Sequence, residues 1–511
     1  MKCCILVLRT IMFICLLFVL TACGRNRQDN TQRASDNVST GGSHTLTIFT
    51  PNRYSWDTSF AVHTAEYLMA AEWAKQGRNF NIDVTSYTRR ERDTALTRLQ
   101  VMIMAGQIPD IIMLDHTPWQ NTNSLRNFLG SGAFTDIYTL MDNCPNTSRE
   151  DFYTSILEAW EINGKLFALP VTFGFDYVGI NANLPPSIIN QFSSADTISM
   201  HELLQIYIKL QEIYGDEFGH LTIFNNLRFS SPFHIISHSM NGFVDFDNGI
   251  SNLNSLQFIS LLKDWYYVFN GRGLFDFEDP SLYGWGGRRL TNLTSLSLYT
   301  SRYVFMIEER MLGPVNALIP NSNPHFIYYI PITDEQGRLR ISHSMYASIL
   351  NTVIPHFWGA GHMVVPLISA SADGAVAWEY LQHFIYAIVQ LQKPDYRAPT
   401  FNRASTLVSP IRRDYFQPHV MNILQSAMSL SYRWCRRRPG FQNEVEQAQL
   451  IDAAIARLAI YNEMPVTPPF FIPSGLFGDL LETFLRTPPG VFGAQQTAQE
   501  LHNRVSLWLI E

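Results

Sequence analysis

Aromatic residues stand beside carboxylates at several separated places in the chain. Tyr54 and Trp56 lie in the stretch PNRYSWD, and Asp115 and Trp119 begin and end the stretch DHTPW. A flat ring can stack on the apolar face of a cyclic polyol, while acids, amides and guanidinium groups can form hydrogen bonds with its hydroxyls. Side chains of these types could therefore line a site for a cyclic polyhydroxyl solute.

Four further stretches, at 173–177, 283–289, 308–310 and 356–362, offer similar aromatic or charged side chains. Each aromatic side chain could instead pack in a core or plug a loop, and Asp115 could cap the helix that follows it. We predict ligand contact for a set made of Tyr54, Trp56, Asp115, Trp119, Phe173, Asp176, Tyr177, Trp285, Glu308, Glu309, Arg310 and Trp358.

Motifs for catalysis or metal binding are weak in this sequence. His234 and His238 have the spacing of a helical metal pair, but no HExxH and no third ligand accompany them. The stretch DFDNG at 245–249 resembles the start of a calcium loop but lacks the Glu at its twelfth position, which favours a turn. Glu308 and Glu309 are adjacent and would point apart. We therefore expect no catalytic residue, no metal and no cofactor.

The candidates in the first third of the chain follow segments that alternate between strand and helix. Strands are predicted at 45–50, 80–87 and 109–115, and helices from Asp57 and at 89–107. Such a succession is typical of an α/β fold with a parallel sheet, in which ligands bind beyond the carboxyl ends of the strands. Ser199 and Glu202 form a capping-box pattern at the start of a helix. Further predicted elements are a hairpin at 164–170, strands at 302–307, 326–331 and 362–367, and a helix at 371–392.

The N-terminus has the pattern of a secretion signal. After Lys2, the uninterrupted apolar run from Ile11 to Leu20 is too short for a membrane span, which needs about 20 residues. The stretch LTAC that ends at Cys23 resembles the lipobox of bacterial lipoproteins, which implies cleavage before Cys23 and lipid on its thiol. A plain secretory signal or a marginal N-terminal membrane span, in which Cys23 is incidental, is the alternative. We predict a lipoprotein signal peptide at 1–22 and a lipidated cysteine with a flexible linker at 23–43.

Composition limits the class of partner. Removal of Lys2 and Arg9 with the signal would take the formal charge from −7 to −9, which argues against nucleic acid. Processing would leave Cys144 and Cys435 as the only cysteines beyond Cys23, and whether they pair stays open. A chain of 511 residues with 46% hydrophobic content is expected to form more than one core.

Several separated stretches resemble extracellular solute-binding proteins of the sugar-transport type, which serve ABC importers. The stretches are MIMAGQIPDIIMLD at 102–115, INGKLFALPVTFGFDYVGINANL at 162–184, VVPLISASADGAVAWEYLQHFI at 364–385 and TAQELHNRVSLWLIE at 497–511. In the first, Gly106 ends a helix, Pro109 blocks its continuation and Asp115 ends the strand. The sequence departs from the family after Asn181, where a Lys or Asp is common.

The resemblance implies an α/β, two-lobed fold like that of periplasmic binding proteins, each lobe a sheet flanked by helices. A hinge of about three crossings, near 171–176, 322–330 and 392–400, would join the lobes and close on ligand. The first lobe would comprise 44–172 plus 329–392, and the second 173–328 plus 393–511.

The resemblance also implies a function outside the cytoplasm. The protein would be a monomer, anchored through lipid on Cys23 to the extracytoplasmic face of a bacterial cell membrane. It would capture a solute for the permease subunits of an ABC importer and would have no enzymatic activity. The candidate binding residues favour an oligosaccharide as that solute. Two alternatives stay open, which are a secreted glycoside hydrolase and a ligand sensor for a membrane kinase.

Overall fold

The structure is a computed structural model that describes residues 43–50, 56–87, 91–115, 125–173, 175, 177–181, 190, 196–218, 239–270, 326–339, 364–391, 409–416, 418, 456, 459–468, 472–487 and 493–510. The strands are β1 (Ser43–Thr50), β2 (Asn79–Ser86), β3 (Ile111–Asp115), β4 (Thr172–Phe173), β5 (Tyr177–Asn181), β6 (Ile198–Ser199), β7 (Val244–Asp245), β8 (Ile250–Ser251), β9 (Phe326–Thr333), β10 (Val364–Ile368) and β11 (Ser409–Pro410). The α-helices are α1 (Trp56–Lys75), α2 (Arg92–Met104), α3 (Leu125–Leu129), α4 (Ile137–Asp142), α5 (Thr154–Ala159), α6 (Met200–Phe218), α7 (Leu256–Asn270), α8 (Gly374–Leu391), α9 (Gly478–Arg486) and α10 (Ala494–Ile510), with 3-10 turns at Arg149–Asp151 and Ser474–Leu476.

Some predictions fall outside these residues. They include the signal peptide, Cys23 and the strand at 302–307. Among the described residues, no helix combines the length and apolarity that a membrane crossing requires.

A four-stranded sheet has the order β10-β3-β1-β2. β1 and β3 are parallel, with Ile48 opposite Ile111, as the strand–helix–strand pattern predicts. β10 runs antiparallel to β3 and sets Val364 opposite Asp115, so the sheet is mixed rather than purely parallel. The side chains from Ile111 to Leu114 are at most 2% exposed, as expected for an apolar strand between two neighbours.

Helix α2 ends at a glycine, as its sequence predicts. Gly106 has a φ of 69°, and its amide donates to the carbonyl of Ile103 at 3.0 Å. The amide of Gln107 donates to the carbonyl of Met102 at 2.9 Å. These two bonds define a Schellman motif, which needs a residue that tolerates the left-handed conformation. The motif turns the chain towards β3.

Contacts between Cα atoms divide the chain into two compact units, and the boundary passes through β1, α1 and β2. One unit is 1–44 with 70–81, and the other is 45–69 with 82–511. Within the described part of the first unit, Trp73 is 1% exposed and packs edge-to-face against Phe80, with ring centroids 5.3 Å apart. The guanidinium of Arg78 lies 3.5 Å from the centroid of the Trp73 ring.

In the larger unit, a second sheet has the order β5-β9-β6. β9 is antiparallel to β5 and parallel to β6, with Ile198 opposite Ile332. The strand predicted at 326–331 is confirmed as part of β9. The lobe boundary predicted at 328/329 falls inside this strand, and the division into lobes stays a prediction.

The capping box predicted at the start of α6 is confirmed. The amide of Glu202 donates to Ser199 Oγ at 3.1 Å, and the amide of Ser199 donates to Glu202 Oε2 at 2.8 Å. Each side chain thus satisfies a backbone donor of the other at the helix N-terminus, where no carbonyl of the helix is available.

Helix α8 matches the helix predicted at 371–392 and buries an apolar face. Leu381, Phe384 and Ile385 are completely buried, and the hydroxyl of Tyr380 donates to the carbonyl of Val62 at 3.0 Å. The helix also faces Cys144, whose free thiol accepts a hydrogen bond from Gln382 Nε2 at 3.6 Å.

Candidate functional site

Three strand ends meet at one edge of the four-stranded sheet. β1 and β3 are parallel neighbours, so their carboxyl ends, Thr50 and Asp115, lie at the same edge. β10 is antiparallel to β3, and its first residue, Val364, is paired with Asp115. One edge of one sheet is therefore the attachment point of three segments. Two of them follow β1 and β3, and the third precedes β10.

The register of β1 and β3 is fixed by a polar contact near the start of β3. The backbone amide and the hydroxyl of Thr47 donate to Asp110 Oδ2 at 2.8 and 2.7 Å. In return, the amide of Asp110 donates to Thr47 Oγ1 at 2.9 Å. These three bonds fix how far the two strands are offset along their length, and hence where their carboxyl ends lie relative to each other. The positions of Thr50 and Asp115 follow from this register.

Three of the predicted aromatic residues are connected to this edge by short lengths of chain. Tyr54 follows Thr50 by four residues and Trp119 follows Asp115 by four, while Trp358 precedes Val364 by six. At about 3.6 Å per residue, chains of this length reach at most about 14 Å and about 22 Å. Tyr54, Trp119 and Trp358 themselves lie outside the described residues. The topology brings their attachment points together.

Two further candidates have only their backbone described. Trp56 is the first residue of α1, and Asp115 is the last of β3. The sequence offers capping of the next helix as an alternative for Asp115. The helix that follows β3 is α3, which begins at Leu125, and residues 116–124 lie outside the described part of the chain. Both alternatives for Asp115 therefore remain open.

Phe173 is a core residue in the structure. Its side chain is 0% exposed, and its ring packs edge-to-face against Tyr153 and Phe175, with centroid distances of 5.5 and 5.6 Å. No surface of the ring is left for a solute, so the packing alternative describes Phe173. Tyr177 begins β5 opposite Pro331, and Asp176 lies outside the described residues.

The segment around Phe173 is joined to a distant part of the chain. β4 pairs antiparallel with β11, with Phe173 opposite Ser409 and Thr172 opposite Pro410. The amide of Ile411 donates to the carbonyl of Val171 at 3.1 Å. A chain crossing is predicted at 171–176, and the structure shows a second strand beside it. The crossing predicted at 392–400 lies outside the described residues.

A charged side chain secures this pairing. Arg413 Nε donates to the carbonyl of Phe152 at 2.7 Å, and its guanidinium forms an ion pair with Glu463. The guanidinium carbon also lies 4.9 Å from the centroid of the Tyr153 ring. The Glu463 hydrogen bond, the first of several causes, raises the pKa of Arg413 above its ordinary value. Arg413 therefore stays charged and links three segments of the chain.

The remaining candidates lie outside the described residues. They are Trp285, Glu308, Glu309, Arg310 and the histidine pair of His234 and His238. In the described part of the chain, no three His, Cys, Asp or Glu side chains are grouped so that they could hold a metal ion.

The structure also contains a charged cavity that sequence reasoning did not find. It has a volume of about 260 Å³, and Arg126, Glu158, Glu161, Asp245 and Asp247 are among its lining residues. Arg126 Nη2 lies 2.8 Å from Asp247 Oδ1. Arg126, the pair of Glu158 and Glu161, and the turn with Asp245 and Asp247 are far from one another in sequence, so only tertiary structure brings the three groups together. The turn predicted at 245–249 is confirmed and forms part of the wall.

Two groups near the cavity have shifted pKa values. Hydrogen bonds from the side chain and amide of Asn248 lower the pKa of Asp245, so this carboxylate is held in its charged form. Burial, followed by the hydrogen bond to Glu161, raises the pKa of Tyr138, whose hydroxyl donates to Glu161 Oε1 at 2.5 Å. Two wall carboxylates, Asp245 and Glu161, are thus fixed by donors from their own side of the cavity.

Comparison with solved structures identifies the fold. The sugar-binding protein MalE from Xanthomonas citri matches with a TM-score of 0.50 and 13% identity, over 91% of this chain and 98% of that one. A protein of Synechococcus sp. MITs9220, described as an oligosaccharide periplasmic-binding protein, matches at 0.49 and 13%, over 91% and 99%. The cyclic alpha-maltosyl-1,6-maltose binding protein of Arthrobacter globiformis matches at 0.46 and 13%, over 92% and 99%.

No family model matches the chain, and no curated protein matches it. At 13% identity the match to MalE concerns the fold alone. The chain has the two-lobed α/β fold of periplasmic binding proteins, as its sequence predicts. In this fold class, a ligand site at the carboxyl ends of sheet strands is the general expectation.

Proposed function

We propose that this protein is an extracytoplasmic solute-binding protein that captures a carbohydrate and delivers it to the permease subunits of an ABC importer. The observation on which the proposal depends is the meeting of β1, β3 and β10 at one sheet edge, within a fold shared with the sugar-binding MalE. The segments attached there contain Tyr54, Trp119 and Trp358, whose rings suit the apolar faces of sugars.

The proposal is tested first by binding. A thermal-shift screen would compare linear and cyclic glucose oligosaccharides with peptides and polyamines, and any hit would be titrated by calorimetry. We expect an oligosaccharide to raise the melting temperature without releasing a product. Release of shorter sugars would contradict the proposal and favour a hydrolase, and stabilisation by peptides or polyamines alone would contradict the choice of carbohydrate.

Trp119 provides the test of the site. A ring stacked on a sugar should contribute about 1–2 kcal/mol, so Trp119→Ala should weaken binding about 5–30-fold. Trp119→Phe keeps a flat ring and should recover most of the affinity. If Trp119 is instead a buried core residue, Trp119→Ala should lower the unfolding free energy by about 3–5 kcal/mol and leave affinity per folded molecule unchanged.

The proposal places the protein on the outer face of the cell membrane, anchored by diacylated Cys23. More than one acyl chain is needed for stable anchoring, and lipid on a processed lipoprotein cysteine would meet that need. Cys23→Ser should abolish incorporation of a palmitate analogue during metabolic labelling. Equal labelling of the variant and the natural chain would contradict lipidation of Cys23. The thermal-shift screen would still test the solute-binding function separately.

A further inference from the structure

The charged cavity lies within the larger unit, and its walls come from widely separated parts of the chain. On one side, α3 leads to Phe134, which forms a bridge with Ser369 just beyond β10, and the amide of Thr135 donates to the carbonyl of Ile368 at 2.8 Å. The rings of Phe128 and Phe134 are 4.9 Å apart. The helix that contains Arg126 is therefore fixed to the four-stranded sheet.

On the other side, the turn between β7 and β8 is fixed to the C-terminal helix. The ring of Phe246 is 7% exposed and meets Trp508 of α10 at a centroid distance of 6.3 Å. Within the turn, Asp245 Oδ1 accepts the amides of Asp247 and Asn248, each at 3.0 Å. Asp247 is thus held in place at the tip of a turn that belongs to the α10 side.

The walls of the cavity have an excess of negative charge. Arg126 lines the cavity together with Glu158 and Glu161, and the turn contributes Asp245 and Asp247. Arg338, the second guanidinium of the wall, bonds through Nε to Asp334 Oδ2 at 2.7 Å and is already balanced. Arg126 is therefore the cation that offsets the repulsion between the two pairs of carboxylates.

We propose that the Arg126–Asp247 ion pair is a clasp between the two predicted lobes, which favours the form in which these walls meet and weakens as salt concentration rises. The inference rests on the two-lobe division of the proposed function, in which Arg126 belongs to 44–172 and Asp247 to 173–328. Breaking the pair should release repulsion among the wall carboxylates, so the lobes should separate at this face.

The size of the effect follows from exposure. Arg126 is 17% exposed and Asp247 is 62% exposed, so the pair is partly solvated. Such a pair should change the ratio of the two forms about two- to fivefold, because exposed pairs rarely contribute more than about 1 kcal/mol. At an ionic strength of about 1 M the screening length is about 3 Å, compared with about 30 Å at 0.01 M, so salt should act in the same direction as mutation.

Single-molecule energy transfer on the full mature chain measures this ratio without a ligand. Dyes would be attached through non-natural amino acids at Val101 and Leu256, whose side chains are 59% and 86% exposed, because the natural cysteines preclude thiol labelling. Arg126→Gln and Asp247→Asn should each increase the separated form about two- to fivefold, and Arg126→Lys should not. Salt should shift the natural chain towards the separated form, whereas in Arg126→Gln, where repulsion between the wall carboxylates remains, salt should shift the populations the other way.

The matched control is Arg486→Gln. Arg486 pairs with Glu482 at 2.8 Å within the single helix α9, so its loss should leave the two forms unchanged. The inference is overturned if Arg126→Gln and Asp247→Asn leave the populations as they are, or if Arg486→Gln shifts them equally. Because no solute is present, this result is independent of the binding screen. If no oligosaccharide stabilises the protein in the screen, the proposed function is contradicted. The energy-transfer experiment alone would then decide whether the Arg126–Asp247 pair acts as a clasp.

Discussion

Replacement of Phe173 by alanine separates a packing role from a solute-binding role. The ring is 0% exposed and makes two edge-to-face contacts, with Tyr153 at an interplanar angle of 73° and with Phe175 at 61°. Truncation would remove both contacts and leave a cavity beside the β4–β11 pair. Buried Phe→Ala changes cost about 3–5 kcal/mol, of which each ring pair represents about 0.5–1.5 kcal/mol.

The assay is equilibrium denaturation in urea, with calorimetric titration of the oligosaccharide found by the screen on the same sample. We expect Phe173→Ala to lose about 3–5 kcal/mol of unfolding free energy and to keep its affinity per folded molecule. Phe173→Leu, which keeps most of the volume, should lose less. A loss below about 1 kcal/mol together with weakened binding would refute the packing argument and restore Phe173 to the ligand set.

Three further changes test local features of the fold. Gly106→Ala should destabilise by about 1–2 kcal/mol in denaturant, since its φ is 69°, whereas Gly475→Ala, whose added Cβ also meets no atom within 4 Å, should be tolerated. Ser199→Ala should cost about 1 kcal/mol by removing the acceptor for the Glu202 amide, and an unchanged midpoint would contradict the capping role. Asp245→Asn should be less stable than the natural chain at pH 7. Because the folded pKa of Asp245 is lowered, this difference should disappear as the pH falls through that value, and a gap that persists in acid would exclude a charge effect.

Local signals account for the parts of the fold that the sequence predicts well. Gly106 and Pro109 mark the passage from α2 to β3, and Ser199 with Glu202 marks the start of α6, because each signal acts within a few residues. The strands of the four-stranded sheet were similarly predictable from apolar runs. The antiparallel direction of β10 was not predictable, because the sequence of a strand does not specify which strand it pairs with or in which direction.

Long-range contacts explain the failures. The sequence around Phe173 suits either a cleft or a core, and the pairing of β4 with β11, more than 200 residues away, places it in the core. Arg126 and Asp247 likewise meet only through tertiary structure, and the DFDNG stretch that contains Asp247 does not indicate Arg126 as its partner. The meeting of the strand ends of β1, β3 and β10 follows from sheet topology, and solute contact by the residues attached there stays a prediction.

The distance in sequence between β3 and β10 has a consequence for how the protein is made. Ile111 pairs with Ile368, so about 250 residues must be synthesised before β3 gains its second neighbour. Closing a loop of that length costs about 5 kcal/mol of chain entropy. Until then the apolar strand IIML has an unpaired edge, which is a template for association with other chains. Newly made chains should therefore depend on a holding chaperone until β10 is available.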